Sequence, residues 1–88
     1  MTKDGADAVE WVQLDRFGMV AGSAFHGTGT ALATHLQQLV PEGSVAVSSQ
    51  ARVYVRVLVD TVTCPLVTLT TPWGAQRWIP KPARRRPS

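Results

Sequence analysis

The sequence predicts a single small α+β domain, in which one α-helix packs on one face of an antiparallel sheet of four to five strands. The chain has 88 residues, which suits one domain and excludes two-domain enzymes, TIM barrels and dinucleotide-binding Rossmann domains. An apolar stripe at helical spacing occurs near residues 30–40, and alternating apolar residues recur through the second half. The domain is expected to span residues 1–80.

The N-terminal part is expected to contain a frayed leader, residues 1–7, followed by extended chain. Residues 8–21 are rich in β-branched and aromatic side chains, which favours strand over helix. Gly18 could divide this segment into a strand near 9–15 and a short one near 17–21. The sequence leaves open whether the segment is one strand or two.

Residues 22–30 are rich in glycine and hydroxyl side chains and are expected to form a loop that leads into the helix. Thr28 or Thr30 is a candidate N-cap, because a threonine hydroxyl can accept a hydrogen bond from a free N–H of the first turn. The helix should run from about residue 30 to 40 and end before Pro41, which cannot continue it. Its predicted apolar stripe consists of Leu32, Leu36, Leu39 and Val40.

The second half is expected to form an antiparallel meander. Residues 44–48 predict a strand, followed by a turn at 49–50. Residues 52–61 predict the strongest strand of the chain, because apolar and polar positions alternate along it. One face carries Val53, Val55, Val57 and Val59, and the other carries Tyr54, Arg56, Leu58 and Asp60.

The last predicted elements are a strand at 66–71, a turn at 71–74 and a closing strand at 77–79. Pro80 and Pro82 are expected to end this closing strand. Residues 81–88 have no means of burying apolar surface and predict a disordered, Pro/Arg-rich tail. Residues 77–88 carry five positive charges and no negative charge, against a formal net charge of +3 for the whole chain, so a basic net charge is no evidence for a basic face on the domain.

Several classes of function are excluded or disfavoured. The single cysteine, Cys64, cannot form an intramolecular disulfide, and His26 and His35 lack the companions of a zinc site. No catalytic constellation has the required spacing, so no enzyme activity, metal or cofactor is expected. No stretch of 18 apolar residues is present, so no membrane contact is expected and the cytoplasm is the expected location.

The preferred interpretation is a non-enzymatic binding protein that acts through protein–protein contact. Charged residues make up 17% of the chain against about 25% for a typical domain, and one helix should cover only one sheet face. Both observations favour a homo-oligomer, and the small size suits an inhibitor or accessory protein of phage or mobile-element type. The predicted partner-binding residues are Tyr54, Arg56, Trp73, Arg77 and Trp78, because arginine beside tryptophan or tyrosine is typical of binding hot spots.

Two alternatives remain open. The protein could bind nucleic acid through the cations of its tail, Lys81, Arg84, Arg85 and Arg86, which can pair with phosphates. It could instead bind a small, nucleotide-like anion at Gly27, Thr28, Gly29 and Thr30, where a glycine-rich segment meets the start of the helix. That segment is similar to a phosphate-binding loop, but Thr28 stands where the loop requires a lysine.

Overall fold

The computed structural model describes residues 8–56 and 61–81, which form one α-helix and five β-strands. All neighbouring strands are antiparallel, and the spatial order of the sheet is β2-β1-β5-β4-β3. The helix packs on this sheet, which confirms the predicted α+β class. Within the described ranges, no helix is long and apolar enough to cross a membrane. The elements are β1 (Val9–Leu14), β2 (Val20–Gly27), α1 (Gly29–Leu39), β3 (Ser44–Tyr54), β4 (Thr61–Thr71) and β5 (Gly74–Pro80).

The N-terminal segment forms two strands joined by a tight turn at residues 15–19. The predicted loop at 22–30 is wrong, because β2 continues through most of it to Gly27. Its residues 24–27 pair with the first half of β1, and Phe25 packs against the core. The pairing register between β1 and β2 shifts at residues 21–23, where Gly22 has a positive φ of 110°. The glycine therefore marks a bulge inside a strand rather than a loop.

The helix begins and ends close to the predicted positions. Thr28 is the N-cap, and its hydroxyl oxygen accepts a hydrogen bond from the N–H of Ala31 at 3.0 Å. Leu32 and Leu36 are buried, as the stripe predicts, whereas Leu39 is 62% exposed. The prediction that Leu39 belongs to the buried stripe is therefore wrong, and the buried part of the stripe is confined to Leu32 and Leu36 within α1.

One continuous strand, β3, replaces the predicted strand at 44–48 and the predicted turn at 49–50. The two residues of the predicted turn instead form a bulge, since Ser48 pairs with Leu66 and Ala51 with Cys64. The bulge lies opposite Pro65, which has no N–H to donate to the ladder. A proline in the partner strand therefore explains a local irregularity that looked like a turn in the sequence.

The predicted strand at 52–61 is also wrong. Strand β3 ends at Tyr54 and β4 begins at Thr61, and these two residues pair with each other, so the chain reverses direction between them. Val53 and Val55 are buried as predicted. The remaining predicted members of the two faces, residues 57–60, lie outside the described residues, as do the predicted leader 1–7 and the tail from Pro82 onward.

Apolar side chains fill both faces of the sheet. On one face, α1 covers a cluster that consists of Trp11, Leu32, Leu36, Val67, Leu69 and Trp78. The other face holds a second cluster, which consists of Val12, Leu14, Val53, Val55 and Ile79. The helix covers only one face, as the sequence predicts, and the second face is covered in another way.

The cover of the second face comes from the far part of the β3–β4 hairpin, residues 51–55 and 61–64, which we call the hairpin arm. In a flat sheet, β3 would lie about 14 Å from β1, three strand positions away. Yet a Cβ atom placed on Gly18, in the β1–β2 turn, would lie 2.6 Å from the carbonyl oxygen of Tyr54. The arm therefore curls back over the sheet, and the domain covers its second face with its own chain.

Candidate functional site

A cleft of about 390 Å³ lies where the β1–β2 turn meets the hairpin arm and β5. Three side chains, Leu14, Val53 and Leu66, give it an apolar interior, and the first two of these are buried. Three arginines and two exposed aromatic rings complete its lining, together with Gly18. They are Arg16, Phe17, Arg52, Tyr54 and Arg77, and we call the whole site the arginine cleft.

The β1–β2 turn positions two of these side chains. The Asp15 carboxylate oxygen Oδ1 accepts hydrogen bonds from the N–H groups of Phe17 at 2.8 Å and Met19 at 2.9 Å. The N–H of Asp15 donates to the carbonyl of Met19 at 2.8 Å and closes the turn. An aspartate that folds its own turn in this way orders the backbone of Arg16 and Phe17. The Arg16 guanidinium lies 5.1 Å from the centre of the Phe17 ring, within range of a cation–π contact.

The close approach at Gly18 brings the third wall of the cleft into place. Gly18 has a φ of +80°, which L side chains rarely adopt, and its missing side chain leaves room for the Tyr54 carbonyl. The end of the hairpin arm can therefore reach the turn, so that Arg52 and Tyr54 line the same cleft as Arg16. Strand β5 adds Arg77, which pairs with Leu14 across the β1–β5 ladder.

The arginine cleft is positively charged, because its described lining residues include three arginines and no carboxylate. Two carboxylates of the described chain, Asp15 and Glu10, have other partners. The Asp15 carboxylate accepts two backbone hydrogen bonds within its turn, and Glu10 lies 3.8 Å from the Lys81 ammonium in an exposed ion pair. Neither of them forms an ion pair with Arg16, Arg52 or Arg77, so these guanidinium groups can bind an anion from solution.

The structure brings together two of the five predicted partner-binding residues, Tyr54 and Arg77. Arg56 is exposed and does not line the cleft, and Trp73 is 70% exposed in the β4–β5 turn. Trp78 is 7% exposed and belongs to the core under α1, which corrects its assignment to a binding surface. It is placed there because every second residue of β5 faces the helix.

Sequence reasoning missed Arg16, Phe17 and Arg52. The signal for the first two was the Asp15–Gly18 pattern, in which an aspartate precedes a glycine at the spacing of a tight turn. No sequence signal places Arg52 beside Arg16, because that proximity depends on the curl of the hairpin arm.

The tail cations predicted for nucleic-acid binding are described only at Lys81. Its N–H donates to the Glu10 carbonyl at 2.7 Å and extends the β1–β5 ladder by one residue, in addition to the ion pair of its side chain. Arg84, Arg85 and Arg86 lie outside the described residues.

The predicted anion loop is a direct strand-to-helix junction. Gly27 ends β2, and its carbonyl accepts a hydrogen bond from the Trp11 indole at 3.1 Å. Thr28 caps the helix with its hydroxyl, and Gly29 and Thr30 already belong to the first turn of α1. Thr28 is thus the one residue between the strand and the helix, which leaves no loop to surround a phosphate.

Chemically reactive groups elsewhere are dispersed. Burial raises the pKa of the Cys64 thiol above its ordinary value, which disfavours the reactive thiolate. His35 stacks on Phe25 with ring centres 5.0 Å apart, while His26 is an exposed residue of β2. Among residues 8–56 and 61–81, no three His, Cys, Asp or Glu side chains lie close enough together to hold a metal ion.

The fold and the site together define a small α+β domain with a basic cleft and an aromatic rim. No family model matches the chain, and neither a curated protein nor a solved structure matches it.

Proposed function

We propose that this is a non-enzymatic binding protein, whose folded domain captures an acidic segment of a partner protein in the arginine cleft. The observation that supports the proposal is the lining itself, whose described residues place three arginines and two exposed aromatic rings around an apolar interior and include no carboxylate. Arginine and aromatic residues are the side chains most enriched at binding hot spots.

The chemistry of the lining specifies the segment. A guanidinium group binds a carboxylate through two parallel hydrogen bonds, so Arg16, Arg52 and Arg77 suit two or three acidic side chains. The apolar interior at Leu14 and Val53 suits one aliphatic or aromatic side chain placed between them. A volume of about 390 Å³ is within the usual range of about 300–1,000 Å³ for ligand sites.

A second candidate is single-stranded nucleic acid, which the exposed rings of Phe17 and Tyr54 favour. Bases stack on such rings while arginines neutralise phosphates, and the three arginines of the tail would add to this attraction. The apolar interior argues for a peptide instead, because a base buried there would leave polar edge groups without hydrogen-bond partners.

The test compares two probes, a labelled peptide that alternates glutamate with leucine and a short oligothymidylate. Fluorescence anisotropy should show that the peptide binds the protein and that its glutamine counterpart does not. Arg16→Gln and Arg77→Gln should each weaken peptide binding about tenfold, as expected for the loss of a charge-assisted hydrogen bond.

Arg56→Gln is the matched control, because it removes the same charge from an exposed position outside the cleft. It should leave the affinity within about twofold of the original, since a rim charge has a small effect. Binding of the oligonucleotide alone would establish the second candidate. Equal losses for Arg56→Gln and Arg77→Gln, or no binding of either probe, would refute the proposed site.

A further inference from the structure

The first part of the outer edge of β3, residues 44–48, lacks the usual protection, whereas the later part carries the bulge at 49–50 and Arg52. Within the described residues, β3 pairs with β4 alone and forms one margin of the sheet. Sheet edges usually carry lysine, proline, inward charges or early bulges, because an open row of N–H and C=O groups can pair with another chain. Residues 44–51 contain no charged residue and no proline, and the ladder stays regular from Ser44 to Ser48.

The sequence of this regular run is a palindrome, Ser44-Val45-Ala46-Val47-Ser48. If two copies paired antiparallel about a twofold axis at Ala46, each residue would face its own kind. Serine would lie opposite serine, valine opposite valine and alanine opposite alanine. Paired valines and hydrogen-bonded hydroxyls are favourable cross-strand neighbours, and no like charges would meet.

Val47 gives this pairing an energetic reason. It is 55% exposed although it points to the same sheet face as Val45, which packs against the core under α1. In the twofold arrangement, Val47 of one copy would lie beside Val45 of the other. The contact would remove apolar surface of both residues from water at the margin of the core.

The other margin of the sheet, β2, is less suited to pairing. Three of its residues lie opposite Gln13 alone, at the irregularity that contains Gly22, and only residues 24–27 form a regular run before the helix begins. On the helix side of that run, the His35 ring stacks on Phe25. Bulges of this kind are a usual means of protecting an edge.

We propose that two copies of this chain form a homodimer in which residues 44–48 of the two β3 strands pair antiparallel about Ala46, so that two five-stranded sheets become one continuous sheet. This interface is independent of the arginine cleft, since none of these five residues lines it. The dimer and the acidic-segment proposal can therefore fail separately.

The test compares two single variants, each of which places one lysine on a different margin of the sheet. Val47→Lys places a charge on an exposed side chain of β3, and Ala24→Lys, the matched control, does the same on β2. At tens of micromolar, sedimentation equilibrium should give the original protein and Ala24→Lys twice the 9.5 kDa mass of one chain. Val47→Lys should give the single-chain mass with an unchanged circular dichroism spectrum.

A crosslink tests the register and does not depend on how well Val47→Lys folds. In a Cys64→Ala background, Ala46→Cys places two thiols opposite each other across the proposed axis, where cross-strand Cβ atoms lie about 4.5–5.5 Å apart. Mild oxidation should give a disulfide-linked dimer, and Ala24→Cys should not.

The proposal is overturned by a single-chain mass for the original protein at these concentrations, or by dimers that persist in a folded Val47→Lys. Equal crosslinking of Ala46→Cys and Ala24→Cys would also overturn it, since random collision then explains the link.

Discussion

Gly18 shows how a single missing side chain can determine the shape of a site. Its φ of +80° and its position against the Tyr54 carbonyl both exclude a larger residue. Gly22 has a φ of +110°, but no atom lies within 4 Å of the position that its Cβ would occupy. Gly22 therefore shows the effect of the backbone conformation alone, whereas Gly18 combines that conformation with a steric contact.

We expect Gly18→Ala to lower the free energy of unfolding by more than Gly22→Ala does. Backbone strain alone should reduce the stability of either variant by about 1–2 kcal/mol. Gly18→Ala adds a clash with a backbone oxygen and should also open the arginine cleft. Urea denaturation gives both free energies. Equal losses of unfolding free energy in the two variants would mean that the Tyr54 carbonyl does not lie close against Gly18.

The Cys64 thiol should react slowly, because burial raises its pKa and the thiolate is the nucleophile. At pH 8, we expect iodoacetamide to alkylate the folded protein at least about tenfold more slowly than the urea-unfolded chain. Equal rates in the two states would show that the thiol is open to solvent.

The raised pKa of Cys64 also predicts how the stability of the protein depends on pH. The folded state favours the protonated thiol, so this contribution is fully present below the pKa of the unfolded chain and is lost as the pH rises through the folded pKa. The stability of the original protein relative to Cys64→Ala should therefore fall at alkaline pH. A difference that stays constant with pH would contradict the linkage.

At this scale, the sequence reveals part of the lining of the arginine cleft. Tyr54 and Arg77 were predictable from residue type, and both line the cleft. The burial of Trp78 was predictable only once β5 was known to be a central strand, because such a strand has one face under α1. Residue type indicates that a side chain could bind, but strand position decides whether it is accessible.

At the scale of elements, the clearest patterns were predicted well and the turns were not. The helical stripe located α1, and the proline and glycine of residues 71–74 located the β4–β5 turn. The valine-rich segment at 52–61 was misassigned because alternation continues on both sides of a reversal, and nothing in it resembles a turn. The bulge opposite Pro65 depends on a partner strand that the local sequence does not reveal.

The hairpin arm should be essential for stability, because it covers the second face of the sheet. Val55, directly after β3, is 0% exposed and belongs to the cluster of Val12, Leu14 and Ile79. Val55→Asp would bury an unpaired carboxylate, which destabilises by several kcal/mol in a domain whose total stability is about 5 kcal/mol. We expect this variant to lose its native circular dichroism spectrum and its cooperative thermal transition.

Tyr54→Asp is the control for this experiment, because the adjacent side chain is exposed. It should remain folded, with a melting temperature within a few degrees of the original. A folded Val55→Asp would mean that the arm does not cover the sheet.

At the scale of the whole molecule, the folded body and the tail can be separated by truncation. The last described contacts of the chain are those of Lys81 with Glu10. Removal of residues 82–88 takes away three arginines and lowers the formal charge from +3 to 0. The fold should survive, because these contacts remain.

If the cleft is the binding site, the truncated protein should retain its equilibrium affinity for the acidic peptide and associate more slowly. Stopped-flow anisotropy measures both quantities. A truncated protein that folds and no longer binds either probe would assign binding to the tail.

The two central strands, β1 and β5, are more than sixty residues apart in the chain. During synthesis, β1 must therefore wait with one side unpaired until nearly all of the described chain has been made. Contacts of such long sequence separation slow folding, because a large loop must close before they form. The β1–β2 and β3–β4 hairpins can form early as local units, and β5 then joins them. The sheet is thus completed last at its centre, and the rate of that final step limits how long its apolar strands remain open to aggregation.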